Sequence, residues 1–135
     1  MEVIDQFSSE HVKQVHMLYQ QVWWGKTRTL AETIDCVSGS QVCVGIVSDQ
    51  GELVGFARVL SDFIYKAVIF DVIVAPDERG KGLGIKLMEL IKHHPKLKKV
   101  RHFELYCLPD MEPFYEQFGF TAEVGGIRLL RCENT

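Results

Sequence analysis

Apolar residues recur along this chain with two different periods. Val12, Val15, Leu18, Tyr19 and Val22 follow one another at helical spacing, directly after Ser8-Ser9-Glu10, a run suited to starting a helix. A short strand over residues 3–7 precedes them. Gly25 interrupts the stripe, and Thr29 to Val37 reads as a second short helix, capped by Thr29 with Glu32 at the capping-box position. Residues 41–48 and 52–60 read as strands joined by the turn Asp49-Gln50-Gly51. From Ala67 to Ala75 the chain is almost continuously apolar, which predicts a central strand buried on both faces. Leu83 to His93 then predicts a helix that buries Leu87, Met88 and Ile91 and is stopped by Pro95. A strand over 102–108, a helix over 111–118 and two short strands flanking Gly125-Gly126 complete the order β-α-α-β-β-β-α-β-α-β-β.

Composition narrows the class without naming a function. The 135 residues, 47% hydrophobic and 24% charged, suit a single domain spanning 1–135. The net charge of −3 carries no basic stripe, so neither nucleic acid nor an anionic membrane is expected as a partner. The bases between Lys92 and Lys99 read as a solvated helix end and loop. The start of the chain is acidic and poor in apolar residues, unlike a signal peptide, and no run approaches the ~20 apolar residues of a membrane helix. Cys36, Cys43, Cys107 and Cys132 form no C-x-x-C pair and no metal-like spacing with histidine. Reduced, mostly buried thiols in a cytoplasmic protein are expected, with Cys107 in the core and no metal.

The chemistry is concentrated after the apolar strand. Arg79-Gly80-Lys81-Gly82-Leu83-Gly84 follows Val72-Ile73-Val74-Ala75-Pro76 and opens the third helix. Glycines allow positive φ and close approach to the backbone. N–H groups at the helix start then face an anion, aided by the helix dipole. Arg79 and Lys81 add charge suited to phosphate oxygens. A nucleotide P-loop would need Ser or Thr after its lysine, but Lys81 precedes Gly82, and the third glycine of a dinucleotide fingerprint is replaced by Ile85.

The spacing Arg-x-x-Gly-x-Gly at Arg79 resembles the acetyl-CoA loop of the GNAT (GCN5-related) N-acetyltransferases. A second stretch, Phe114-Tyr115-Glu116-Gln117-Phe118-Gly119-Phe120, is similar to the family's later helix with its tyrosine and Gly-Phe. The resemblance covers essentially the whole chain and looks like that of a small stand-alone bacterial member. It implies an α/β GNAT fold, with a mixed twisted central sheet of six to seven strands flanked by about four helices. It implies acetyl-CoA as cosubstrate, its pyrophosphate on the Arg79–Gly84 loop and its pantetheine arm along the main chain of Val72, Ile73 and Val74. Tyr115 becomes the candidate general acid for the departing thiolate. Where such relatives carry Asp-Ala-His, this chain reads Asp110-Met111-Glu112.

Asp71 is the odd residue in Ile69-Phe70-Asp71-Val72, because a charge inside an apolar strand is costly unless paired or functional. It is the first candidate for amine recognition or proton removal; the other reading is a structural carboxylate held by a basic partner. Trp24, Arg28, Asp62, Phe63 and Tyr65 are the candidates for binding the acceptor, with Arg58 either joining them or pairing with Asp62 or Asp71. Trp23 is assigned to the buried helical stripe instead. Glu104, flanked by Phe103 and Leu105, is expected to face solvent. The chain reads as an acetyl-CoA-dependent N-acetyltransferase acting by direct attack in a ternary complex. The alternative is a catalytically silent CoA-binding sensor or partner-binding module. Exposed edge strands and Gly125-Gly126 leave room for a homodimer.

Overall fold

The structure, a computed structural model, describes residues 1–134. The elements are β1 (Glu2–Ile4), α1 (Ser9–Tyr19), α2 (Leu30–Gly39), β2 (Val42–Val47), β3 (Leu53–Ser61), β4 (Lys66–Val74), α3 (Leu83–Lys92), β5 (His102–Leu105) and α4 (Glu112–Glu116). Single helical turns at Pro76–Glu78, Pro95–Leu97 and Pro109–Met111 link the later ones. Both predicted helix starts form. Ser8 accepts the His11 N–H at 3.2 Å while its own N–H donates to His11 Nδ1, and Thr29 and Glu32 make the expected reciprocal pair at 3.1 and 2.8 Å. Each satisfies two N–H groups that a helix start would leave open.

Among the described residues, five strands form one sheet in the order β1-β2-β3-β4-β5. The first four pair antiparallel, whereas β5 runs parallel to β4 and is reached by a crossover through α3. The sixth and seventh strands expected around Gly125-Gly126 do not form: residues 121–134 are exposed, and one bond, Ile127 N–H to Val124 O at 3.4 Å, closes the turn between them. The most enclosed interior strand is β2, buried at every position between β1 and β3. Next to the edge strand, β4 is only partly covered, so its expected burial on both faces is corrected. No helix among the described residues is long and apolar enough to cross a membrane.

The sheet separates two cores. On one face Leu83, Leu87, Met88 and Ile91 of α3 pack on Val42, Val44, Ile46, Val59, Ala67 and Ile69. On the other, Val15, Leu18 and Tyr19 of α1 pack on Cys43, Leu53, Phe56 and Ile73. Ala67 and Ile69 thus face α3, whereas Ile73, an even number of residues further along β4, faces α1. Strict alternation would put all three on one face. The register between β3 and β4 shifts between Phe56 and Arg58, and Asp71 has a φ of +57°. One extra residue in β4 therefore swaps the faces of everything after it, as a β-bulge does.

Candidate active site

The bulge decides where Asp71 points. Without it, Asp71 would share the α3 face with Ala67 and Ile69; with it, the carboxylate enters the α1 side. There it accepts hydrogen bonds from the Tyr19 hydroxyl (2.8 Å), Arg28 Nη1 (2.7 Å) and Arg58 Nε (2.7 Å), with Arg28 Nη2 on its second oxygen at 3.3 Å. Its side chain is 6% exposed. Aromatic rings seat both guanidinium groups, that of Arg28 over Tyr19 and Trp24 and that of Arg58 over Phe70. Burial alone would raise the pKa of Asp71, but the hydrogen bonds from Arg28, Arg58 and Tyr19 outweigh it and hold the carboxyl below its ordinary value. Burial and then the Asp71 charge push the Tyr19 hydroxyl well above the usual phenol range, so Tyr19 is a donor here and nothing else.

This arrangement corrects the expectation for Asp71. With both oxygens engaged and its basicity lowered, the carboxylate is a poor proton acceptor. Two guanidinium ions on one carboxylate leave the cluster at +1, so it offers no net negative charge to an ammonium group. The alternative of a carboxylate held by basic partners is the one observed. Tyr19, read from the sequence only as part of a helical stripe, belongs to the cluster. Its signal was available, since a tyrosine at a fully buried helix position needs a partner for its hydroxyl.

A cleft opens where β4 and β5 part. Their pairing runs from Lys66–His102 to Ile69–Leu105 and then stops. Beyond Ile69 the bulge bends β4, and Val72, Ile73 and Val74 pair with no strand on the β5 side among the described residues. The Arg79–Gly84 loop follows the carboxyl end of β4, and α4 follows the carboxyl end of β5, so both motifs flank the mouth of the cleft. Crevices at strand carboxyl ends are common ligand sites in α/β sheets.

In the loop, Gly80 and Gly82 have φ of +78° and +82°, and a Cβ on either would meet open space. The first helical bond runs from Lys86 N–H to Gly82 O at 3.0 Å. Among the described residues, the N–H groups from Gly80 through Ile85 have no acceptor. Six consecutive donors at the start of a helix form a concave cradle for an anion. The side chains contribute less than the sequence suggests: Lys81 Nζ is paired with Glu78 at 3.0 Å, and Arg79 Nε donates to Val74 O at 3.3 Å. Glu78 was not singled out in the sequence.

Tyr115 sits on α4, which is seated by Gly84. A Cβ at Gly84 would come within 3.2 Å of Phe114 Cζ, so the absence of a side chain lets α4 approach α3. Phe114 packs edge-on against Tyr115 and Phe118, and Tyr115 against Phe120. The tyrosine is half-buried, and its hydroxyl has no hydrogen-bond partner among the described residues. Burial raises its pKa, with a smaller contribution from Cys107, so it carries its proton at neutral pH. Cys107 is exposed at the end of β5, which corrects its assignment to the core. Cys132 is exposed as well, and Cys43 is the one buried thiol of the four.

The acceptor candidates divide. Trp24 and Arg28 lie together on the Asp71 cluster. Asp62 and Tyr65 precede β4 and lie at its opposite end from the loop, nine residues or ~30 Å of strand away. There Asp62 accepts the N–H groups of Ile64, Tyr65 and Lys66, a turn-holding role, and Tyr65 lies under Arg101. Trp23 is 75% exposed because α1 ends at Tyr19, so it lies beyond the helical stripe, contrary to its assignment there. Glu104 faces solvent as expected and pairs with Lys66 at 2.8 Å. Two surface hollows of about 470 and 480 Å³ lie away from the cleft, one against Phe7, Val37 and Cys43, the other against Lys86, Glu89 and His93.

Comparison with known proteins points the same way as the cleft. Residues 39–122 match the acetyltransferase (GNAT) domain family. A crystal structure of a protein belonging to the GNAT family from Xanthomonas campestris pv. campestris superposes with a TM-score of 0.84 at 31% identity, covering 99% of this chain and 94% of that one. An uncharacterized N-acetyltransferase of Gracilaria tenuistipitata var. liui is 31% identical over 82% of this chain and 62% of its own length. The chloroplastic serotonin N-acetyltransferase 2 of Oryza sativa subsp. japonica is 37% identical over 60% of this chain and 40% of its own. The chain thus spans about two thirds or less of these two curated relatives.

Proposed function

This chain belongs to the GNAT acetyltransferase family, and from that premise we propose that it moves an acetyl group from acetyl-CoA to an amine. The carrying observation is the run of six N–H groups at Gly80–Ile85 that have no acceptor among the described residues, at the carboxyl end of β4, with Tyr115 on the helix that follows the adjacent strand β5. The cradle suits a diphosphate: it offers fixed donors, helix-end polarity and no side chain in the way at Gly80 or Gly82. The edge of β4 over Val72–Val74, which has no strand beside it on the β5 side, suits an extended amide-bearing arm laid along it like a strand, with Arg79 Nε giving up Val74 O to it. When bound, acetyl-CoA supplies an activated thioester.

The protein's own contribution is then mostly placement, with the loop holding one end of the donor and β4 its middle. As the amine nitrogen bonds to the acetyl carbon, the carbon–sulfur bond breaks and the sulfur leaves with the electron pair. Tyr115 gives that sulfur its proton, a role helped by the raised pKa that keeps the hydroxyl protonated. The nitrogen sheds its proton to solvent. The Asp71 cluster holds Arg28 and Trp24 in place beside β4, so Asp71 positions acceptor-side groups instead of taking the proton.

Calorimetric titration of acetyl-CoA into wild type and Gly82→Trp, followed by thiol release over a panel of amines, tests the reading. Binding that the substitution abolishes, with thiol release on at least one amine, is expected. A folded protein that does not bind acetyl-CoA refutes it; binding without turnover on any amine leaves a CoA sensor.

A further inference from the structure

The cluster around Asp71 holds more positive charge than its carboxylate neutralises, and the two guanidinium groups are not equally closed in. Arg58 is 12% exposed, between the ring of Phe70 and the Ser40 hydroxyl. Arg28 is the open member, at 28%. Two of its N–H groups are spent on Asp71, and the rest meet no acceptor among the described residues. Its guanidinium lies over the rings of Tyr19 and Trp24, 4.6 and 5.0 Å from their centres, so its fork is aimed before any ligand arrives. The surroundings do not cancel the excess. From Gln20 to Ala31 the chain carries Lys26 and no acid besides Arg28 itself, and the next carboxylate, Glu32, is engaged with the Thr29 N–H.

An apolar strip leads from this cluster to Tyr115. Ile69 and Leu105 form the last pair of β4 and β5, and both pack on the α3 side. Phe70 and Tyr106, one residue further in each strand, therefore face the α1 side, one on each bank of the cleft. Their rings meet edge-on at 5.8 Å, and Tyr106 is 57% exposed. Cys107 follows Tyr106. Beyond it the charge is of the opposite sign: Asp110 lies in the turn Pro109–Met111, Glu112 opens α4, and no base occurs from Cys107 to Phe120. Both acids lie close enough to Cys107 to add to the effect of burial in raising its thiol, and Cys107 in turn acts on Tyr115. The strip is thus positive at its Arg28 end, aromatic in the middle and negative where Tyr115 stands.

Resting on the acetyltransferase reading, we infer that the acceptor is a zwitterion, an amine that carries a carboxylate or phosphate at the far end of an apolar spacer. The anion sits on the free N–H groups of Arg28, the spacer lies on Phe70 and Tyr106, and the ammonium group is drawn to the Asp110 and Glu112 end, beside Tyr115. The anion takes no part in the bonds made and broken; it fixes which amine is presented to the thioester.

The test measures thiol release from acetyl-CoA with ω-amino carboxylates from glycine to 6-aminohexanoate, their amides, ω-aminoalkyl phosphates and α,ω-diamines. For the longer acids kcat/KM should exceed that of the matching amide by about 10- to 100-fold, the worth of one hydrogen bond to a charged group. The gain should grow from glycine upward and shrink in high salt, with the diamines poorest. A gain in either acid series supports the proposal, and the larger one names the anion. Arg28→Gln should bring the ratio of acid to amide close to one whatever it does to the absolute rate, and Arg28→Lys should restore part of it. A ratio near one at every length in wild type, a gain greatest for glycine, or a diamine as the best acceptor overturns the proposal and leaves the acetyltransferase standing. So does a ratio that a folded Arg28→Gln leaves intact. If acetyl-CoA binds but no amine is turned over, calorimetry of 6-aminohexanoate into the CoA-saturated protein decides: binding that its amide lacks supports the anion site, and its absence overturns it. A folded protein that does not bind acetyl-CoA overturns both readings.

Discussion

Asp71→Asn isolates the charge of the buried cluster. Asparagine has nearly the same shape, tolerates the left-handed φ of +57°, and keeps an oxygen able to accept one guanidinium N–H. What it removes is the negative charge, taking the cluster from +1 to +2. Breaking a buried ion pair by deleting one partner costs ~3–5 kcal/mol, and the lower end applies here because Asn retains an acceptor and Arg28 is 28% exposed. Unfolding entropy of ~2.1 cal/mol/K per residue gives ~0.28 kcal/mol/K for 135 residues, so ~3 kcal/mol lowers Tm by ~10 °C. Differential scanning calorimetry measures it. The pH dependence supplies an internal control. The folded pKa of Asp71 lies below its unfolded value of ~3.9, so its contribution is complete above that pH and is lost as pH falls through the folded value. The Tm gap between wild type and variant should therefore be constant from about pH 7 to 5 and narrow below about pH 4. A gap under ~3 °C at neutral pH, or one that does not narrow in acid, would refute the reasoning.

Two further outcomes follow from the geometry. Tyr115→Phe should lower kcat by ~10²-fold or more while leaving the calorimetric Kd for acetyl-CoA within a factor of about two, because the hydroxyl makes no contact that the fold needs. With the wild-type hydroxyl raised above the usual ~10, kcat should hold through pH 9; an alkaline loss below that pH would remove Tyr115 from the acid role. Gly45→Ala should destabilise by ~1–3 kcal/mol in urea titration, since the new Cβ would meet Leu53 Cδ1, Phe7 Cζ and Ile4 Cγ1 at 2.9–3.1 Å from three directions.

The elements that read correctly from sequence were those in which local pattern and tertiary role agree. The capping residues Ser8 and Thr29, the buried face of α3 and the glycine loop each carry their own signal within a few residues. The bulge at Asp71 could not be read, because it is a property of the β3–β4 register and not of either strand alone. It swapped the faces of Asp71 and the residues after it, and so brought together Tyr19, Arg28, Arg58 and Asp71, which lie far apart in sequence. Asp71 stood out as anomalous, but its partners arrive from α1, β3 and the segment leading into α2, and only their positions decide between a free base and a neutralised anchor. Trp23 was misplaced for a related reason. A helical stripe can be extended on paper past the point where the helix stops, and α1 stops at Tyr19. The final arms failed differently. Their two glycines take left-handed φ values suited to a turn, but no ladder forms on either side of it among the described residues.

The loop poses a last question of magnitude, whether backbone or side chains hold the anion. Arg79 and Lys81 look decisive in sequence, but Lys81 is already paired with Glu78, whose carboxylate lies three residues before it beside the cradle. An arriving diphosphate must compete with that carboxylate for Lys81 and meets its repulsion as well. The six amides have no such competitor, and their dipoles are fixed before the ligand arrives. If the amides dominate, Lys81→Ala should weaken acetyl-CoA binding by less than ~5-fold, the scale of one exposed charge pair. Glu78→Gln should tighten it by ~2–5-fold at low salt, since removing a like charge near a helix start is worth ~0.3–1 kcal/mol. In the Glu78→Gln background, Lys81→Ala should cost more than in wild type, because the lysine is then free to serve the ligand. The gain from Glu78→Gln should shrink as salt is raised, whereas the loss caused by Gly82→Trp should persist, because it acts by blocking donors. Weaker binding in Glu78→Gln, or a loss beyond ~100-fold in Lys81→Ala alone, would place the affinity in the side chains and reverse the order of importance drawn from the geometry.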